Sequence, residues 1–244
     1  MKIIEPRSLA EIRNEWNGIC QRRQIVIDEG RDVSLLSVTA PCILRHVQAD
    51  HPKTVLDVGC GTGYLTSKIA DYVHACVGID CSDASIAIAG KHYRKPNLSF
   101  EVSEICKYVS DIEFDLCVAN MVFMSDPTWK ESTKHIHQLL VPKGRLYVMI
   151  THPCFWPKYW GYENQPRFHY HEETFFENDF SISLEKSMGE ATFIHRPLAM
   201  YLKGLLSVGF SIEAVEEPFP VMSTPKEYKY SYPRFLFIKC QKRN

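Results

Sequence analysis

Apolar residues recur along this chain with two different periods. Leu9, Ile12, Trp16 and Ile19 fall on one face of a helix, and a second helical segment runs over 34–48, interrupted at Pro41. From 54 onward the pattern changes to short apolar, β-branched runs. Those at 54–59, 75–80, 98–102, 114–119 and 145–151 suit strands, and helical stretches near 63–72, 83–93 and 127–140 separate them. Pro142 ends the last of these helices and Lys143-Gly144 is a turn signal. The alternation predicts a parallel sheet covered on both faces. Pro197 and Gly209 then bracket another helix, and 211–215 and 234–240 supply two final strands, the last of the seven antiparallel.

The most informative stretch is Thr54 to Ala70, which reads strand, glycine turn, helix. Val55, Leu56 and Val58 are broken by Gly59, Gly61 and Gly63, after which Leu65, Ile69 and Ala70 return at helical spacing. Such a turn leaves backbone N–H groups free at a helix start, where residues without Cβ let a ligand approach closely. The spacing excludes a dinucleotide G-x-G-x-x-G frame, because Tyr64 and Thr66 stand three residues after Gly61 and Gly63. There is also no lysine followed by Ser or Thr inside the glycine loop, as a P-loop needs. Asp57, just before the glycines, would repel a pyrophosphate and suits a ligand carrying positive charge.

Asp57-Val-Gly59-Cys60-Gly61-Thr-Gly63 resembles the first motif, D-x-G-x-G-x-G, of the class I S-adenosylmethionine-dependent methyltransferases. Val77-Gly78-Ile79-Asp80 resembles that family's second strand, which ends in an acid for the two ribose hydroxyls, with Cys81 following it. The resemblance implies a doubly wound, Rossmann-like α/β fold with N-terminal helices and an inserted lid. It also implies S-adenosylmethionine as cofactor and S-adenosylhomocysteine as product. Carried over residue by residue, it puts Glu104 near the adenine amine, although the usual Gly-Asp there is Ser103-Glu104, and Asn120 at the junction of cofactor and acceptor. Asn120-Met-Val-Phe123 lacks the Pro-Pro-aromatic corner of adenine- and glutamine-methylating relatives. His-Pro-Cys-Phe at 152–155 and His-Arg-Pro-Leu at 195–198 resemble a branch of bacterial small-molecule methyltransferases.

One domain is expected over 1–244, with a helical cap at 1–50, a cofactor-binding core at 54–151, a lid at 152–196 and a C-terminal helix and strand pair at 197–244. The lid is unusually aromatic and leaves the C-terminal end of the fifth strand, where open α/β sheets bind ligands. Trp16, Phe123, Trp156, Tyr159, Tyr162 and Tyr201 are the candidate acceptor-binding residues. The competing use of the aromatic surface is a homodimer interface. His152, one residue past a strand end, is the first candidate base and His195 the second.

Composition narrows the partners. A formal charge of −1 and the lack of a basic stripe argue against nucleic acid. Nine cysteines without a C-x-x-C pair read as reduced thiols, and Met1-Lys-Ile-Ile-Glu-Pro has no signal core, so the expected location is cytoplasmic, away from the membrane. No metal is expected. His135 and His137 lie on different faces of a helix, and His169 and His171 have no third ligand at a suitable spacing. The expected reaction is transfer of the methyl group to an oxygen or nitrogen of a small molecule, by in-line displacement with alignment and general-base help. Two alternatives stay open: a protein or RNA acceptor, and a protein that binds the cofactor without turnover.

Overall fold

The computed structural model describes residues 1–182, 187–220 and 232–243. Parts of the expected lid (183–186) and of the expected C-terminal segment (221–231 and 244) lie outside the described residues. The central sheet has seven strands: β2 (Thr54–Val58), β3 (Ala75–Asp80), β4 (Leu98–Val102), β5 (Phe114–Asn120), β6 (Leu140–Thr151), β9 (Phe210–Glu216) and β10 (Phe235–Lys242). Their order is β4-β3-β2-β5-β6-β10-β9, parallel from β4 to β6, with β10 antiparallel to both of its neighbours. The helices α3 (Tyr64–Ile69), α4 (Asp83–His92), α5 (Trp129–Leu139) and α7 (Leu198–Val208) connect the strands.

Alternation along β2 shows how the sheet is covered. Leu56 and Val58 pack into a core with Phe123, Trp129 and Leu205, whereas Val55 packs into the opposite core with Ile43, Ile69 and Phe237. By the same period Asp57 shares the face of Val55, under α3. The expected turn at Lys143-Gly144 is instead part of the long strand β6. The irregularity is absorbed by a register break between β5 and β6, with Lys143 at φ 62°.

The N-terminal region is less uniformly helical than its periodicity suggests. The cap holds α1 (Leu9–Asp28), started by Ser8, whose hydroxyl and the Glu11 side chain form a reciprocal capping box. Pro41 does not interrupt the second helix. It sits in the first turn of α2 (Ala40–Asp50), directly after a wider π turn over Leu35–Thr39. Ahead of α1, β1 (Lys2–Ile4) joins β7 (Thr174–Asp179) and β8 (Glu190–His195) in a second, antiparallel sheet of order β1-β7-β8. The expected lid therefore contributes two strands of a three-stranded sheet, together with the short helix α6 (Trp156–Tyr159). Phe175 and Phe176 belong to β7.

Arg196 fastens this second sheet to the first. Its side chain is fully buried, and it donates to Glu173, to the Phe123 carbonyl and, at 2.9 Å, to the Asp126 carbonyl. The guanidinium also lies 5.5 Å from the centre of the Trp129 ring. Tyr201 packs on that ring from α7 at 5.3 Å, so Trp129 is held on several sides.

Gly204 of α7 tests this packing. Alanine in a helix interior ordinarily gains about 1 kcal/mol over glycine. Here a Cβ would lie 2.2 Å from the Trp129 ring, which is itself only 2% exposed and has no room to move. Overpacking dominates, and Gly204→Ala is expected to lose about 1–3 kcal/mol, read as a lower urea midpoint at unchanged m-value. A raised midpoint would show that the α5–α7 contact yields.

Candidate active site

The glycine turn, the end of β3 and the end of β5 open on one cleft, with α1 forming its outer wall. The empty space it encloses, mouth included, is about 1120 Å³. Asp57, Gly59, Cys60, Gly61, Asp80, Cys81, Glu104 and Asn120 all line it. Gly63 does not.

The three glycines do different work. All have positive φ, but only Gly61 faces open space, with nothing within 4 Å of a Cβ built there. At Gly59 a Cβ would come within 2.5 Å of Val122, and at Gly63 within 2.7 Å of Phe100. Close ligand approach therefore applies to Gly61, while Gly59 and Gly63 are required by the protein's own packing. Gly63 caps α3 in the left-handed conformation.

Two acids shape the cleft, Asp57 buried and Asp80 half-buried. Asp57 accepts a 2.6 Å hydrogen bond from the Thr66 hydroxyl, which ties the strand end to α3. Burial, with Asp80 nearby adding to it, pushes the Asp57 carboxyl up to about 7. Asp80 accepts the Gly61 N–H through one oxygen and the Ser82 N–H through the other, each at 2.8 Å. Burial raises its pKa while these two bonds oppose the rise. Each oxygen keeps a lone pair after these bonds, so the carboxylate can still accept two hydroxyl protons from a ligand. Burial also raises both neighbouring thiols, Cys60 well above its ordinary value and Cys81 to about 12, so neither is a thiolate nucleophile. Glu104 stands at the rim, paired with Lys107 at 2.8 Å.

A second cavity, enclosing about 930 Å³ with its mouth, adjoins the cleft. The two share Trp16, Arg23, Leu35, Asn120, Met121 and Ser125. Met121 holds φ at 61°, a costly conformation for a residue with a side chain, at the wall between them. Trp156, Trp160, Phe180 and Phe193 make the second cavity strongly aromatic, and Asp32, Thr39 and Arg234 add polar groups. Asp32, Thr39, Arg23 and Arg234 escape a reading of the sequence because none belongs to a motif; three separate segments bring them together.

Of the expected acceptor-binding residues, Trp16 and Trp156 line this cavity. The other four do not. Phe123 is core, offering only its carbonyl to Arg196, and Tyr201 is core beside Trp129. Tyr162 is fully buried against Phe176 at 4.4 Å. Tyr159 stands behind the cavity wall, its hydroxyl accepting from Arg234 at 2.7 Å. Tyr162 and Tyr159 pack with Phe176 and Phe193 because β7 and β8 need an apolar face, a requirement that the sequence of the lid does not reveal. Burial of Trp156, Tyr162 and Phe176 within one chain also removes them from any outward-facing surface.

Neither candidate base is placed for proton transfer. His152 is 3% exposed; its Nε2 hydrogen-bonds Glu217 at 2.8 Å and its Nδ1 accepts the Cys154 N–H at 3.2 Å, so it pins the end of β6. His195 donates from Nε2 to the Tyr170 carbonyl at 2.9 Å and meets the Tyr162 hydroxyl through Nδ1 at 3.2 Å. Burial lowers both pKa values, that of His195 to about 4. Elsewhere, the ligand atoms of Cys42, His46 and Glu216 lie within 4.8 Å of one another. Arg45 already engages both Glu216 and Cys42 there, which disfavours a cation. Among the described residues no helix is long and apolar enough to cross a membrane.

Neutral burial of His195 has a measurable signature. Between its ordinary value of 6.5 and the folded value near 4, the unfolded chain binds a proton that the folded chain refuses, so this contribution is full above 6.5 and is lost as pH falls. Asp57 and Asp80, raised by burial, contribute with the opposite sign, so the informative quantity is a difference. The stability advantage of wild type over His195→Gln should shrink by on the order of 3 kcal/mol across that window, about 1.4 kcal/mol per unit. A difference independent of pH would show that His195 is not held neutral.

Three comparisons bear on this geometry. Residues 55–144 match the family described as methyltransferase domain. A malonyl-[acyl-carrier protein] O-methyltransferase of Halalkalibacterium halodurans is 34% identical over 118 residues, covering 45% of this chain and 43% of that protein. Three of the curated relatives are matched over less than half of their own length, 37%, 41% and 43%. Among solved structures, a putative S-adenosylmethionine-dependent methyltransferase from Listeria monocytogenes superposes with a TM-score of 0.67 at 22% identity, covering 84% of this chain and 98% of that one. The DhpI–SAM–HEP complex gives 0.67 at 16% identity, over 97% and 99%. At such identities these likenesses speak for the fold. Residues 55–144 are thus similar to the methyltransferase-domain family, and the fold is the Rossmann-like one of these S-adenosylmethionine-dependent methyltransferase structures.

Proposed function

We propose that the protein transfers the methyl group of S-adenosylmethionine to an oxygen or nitrogen of a small molecule held in the second cavity. The observation that carries this reading is the meeting of two cavities at Asn120 and Met121, one built around Gly61 and Asp80, the other walled by aromatic rings.

The residues present fit the cofactor. Gly61 leaves open space above the turn, Asp80 keeps lone pairs for ribose hydroxyls, and Asn120 Oδ1 is buried at the junction without a hydrogen-bond partner among the described residues. A cationic ligand is also compatible with the two acids of the cleft, since positive charge offsets their desolvation. When bound, the cofactor supplies an already activated methyl group on a sulfonium. The protein's task is then alignment and exclusion of water. Trp16 on α1 borders both cavities and Trp156 borders the acceptor side, so rings from the cap and the lid face the transfer point from different elements. An enclosed aromatic cavity favours a small acceptor over a protein or RNA chain, which would need an open, charged cleft.

Calorimetry with S-adenosylhomocysteine and a labelled-methyl assay on candidate acceptors test this reading separately. Asp80→Ala should weaken cofactor binding by about 1.5–3 kcal/mol, the range for a lost hydrogen bond to a charged group. Trp156→Ala should impair acceptor use and leave S-adenosylhomocysteine affinity within about twofold, because Trp156 lies outside the cofactor cleft. Unchanged affinity in Asp80→Ala would sink the ribose assignment, and equal loss of both ligands in Trp156→Ala would sink the division into two cavities.

A further inference from the structure

The acceptor cavity contains unsatisfied hydrogen-bond acceptors. Asp32 Oδ2, Thr39 Oγ1 and Asn120 Oδ1 are buried, line the same cavity and have no hydrogen-bond partner among the described residues. Asp32 and Thr39 are each 1% exposed. Buried polar groups are almost always paired, and each orphan costs about 1–3 kcal/mol. Asp32 Oδ2 and Asn120 Oδ1 can only accept, Thr39 can accept or donate, and Trp160 Nε1, unpartnered in the same cavity, can only donate, so the cavity calls for a ligand with at least two donors beside one acceptor.

Asp32 shows why a structural role alone is insufficient. Its Oδ1 accepts the Leu35 N–H at 2.9 Å and so starts the second helical segment of the cap. That use consumes one oxygen only. The other faces Arg23 Nη2 at 3.7 Å, too far for a hydrogen bond, and Tyr64 is the other titratable neighbour. Burial raises the Asp32 pKa, so this carboxylate gains from accepting a proton.

The count of donors distinguishes the two nucleophiles left open above. A hydroxyl has one proton and satisfies one acceptor. A primary amine arrives as an ammonium with three N–H donors, and its charge compensates the buried carboxylate. The aromatic walls demand an apolar, ring-bearing body and favour a cationic head. We propose that the acceptor is a ring-bearing primary amine, anchored through its N–H groups by Asp32, Thr39 and Asn120, with Asp32 as the base that takes its proton.

Asp32 Oδ2 accepts a proton from the ammonium and leaves a neutral nitrogen with its lone pair at Asn120. That lone pair forms the new N–C bond while the C–S bond breaks, its electron pair staying on sulfur. The nitrogen ends as a methylated ammonium, the sulfonium becomes a neutral thioether, and the proton on Asp32 returns to solvent. Total charge is unchanged.

This inference rests on the methyl-transfer reading, and its test keeps the two apart. Tryptamine and phenethylamine are compared with the matching alcohols, tryptophol and phenethyl alcohol, by calorimetry on protein saturated with S-adenosylhomocysteine and by transfer of labelled methyl. The amines should bind at least about tenfold more tightly than the alcohols, a difference of about 1.4 kcal/mol. Asp32→Asn retains an oxygen for Leu35 and should keep S-adenosylhomocysteine affinity and thermal midpoint. It should abolish the amine preference and slow amine methylation about 10²-fold or more. Thr39→Val, which leaves Asp32 in place, should weaken amine binding without moving the pH profile of the rate. Alcohols bound as well as amines, no binding of either amine, or an Asp32→Asn variant with unchanged amine preference would each overturn the proposal. Failure of wild type to bind S-adenosylhomocysteine would overturn the methyl-transfer reading beneath it as well.

Discussion

A guanidinium buried without water must be met by protein on every donor it offers, and Arg196 imposes this condition on two sheets at once. Its partners are Glu173 ahead of β7 and the carbonyls of Phe123 and Asp126 in the loop that follows β5. If the second sheet shifted, two backbone carbonyls and a charge would be stranded in the interior. That cost exceeds what a few side-chain contacts recover, so the lid and the loop carrying Asn120 and Met121 move as one body. The same loop is tied again from within: Asp126 accepts from Thr128 and Ser132, which fixes the entry to α5. The boundary between the two cavities is therefore set by a buried electrostatic requirement as much as by apolar packing.

The cleft has its own electrostatic character. The formal charge of the whole chain is only −1, yet Asp57 and Asp80 line the cleft and Asp32 the adjoining cavity, each pushed toward the protonated form by burial. A positive charge placed beside them would offset that desolvation and favour their ionised forms. Such a distribution favours a cationic ligand over a phosphate-rich one, in keeping with the reading of Asp57 drawn from its place before the glycines.

Much of the core was legible because its signals are local. A strand buried on both faces, a glycine turn and a helix leave their mark within seventeen residues, Thr54 to Ala70, and Asp80 follows at the next strand end. The helix from Leu198 to Val208 was equally plain, with Pro197 and Gly209 at its ends. The second sheet was not. β7 and β8 follow a stretch rich in aromatic residues that masks their alternation, and β1 lies more than 160 residues from its partner, pairing Lys2 with Glu177. Histidines 152 and 195 drew attention through residue type and position, but type does not reveal that both ring nitrogens are already bonded. Asp32 and Thr39 carried no motif at all; only the packing of the cap against the sheet shows that both line one cavity.

The order β6-β10-β9 has a consequence for how the chain is made. β10, the last of the seven strands to be synthesised, fills the gap between β6 and β9 rather than extending an edge. Until residues 235–242 leave the ribosome, β6 presents an unpaired edge of apolar residues, and β9 has no neighbour to join. Nascent chains that pause before this point expose a template for pairing with other polypeptides. Vectorial synthesis thus leaves this sheet vulnerable to the end, and chaperone dependence or aggregation during translation should be concentrated in that final interval.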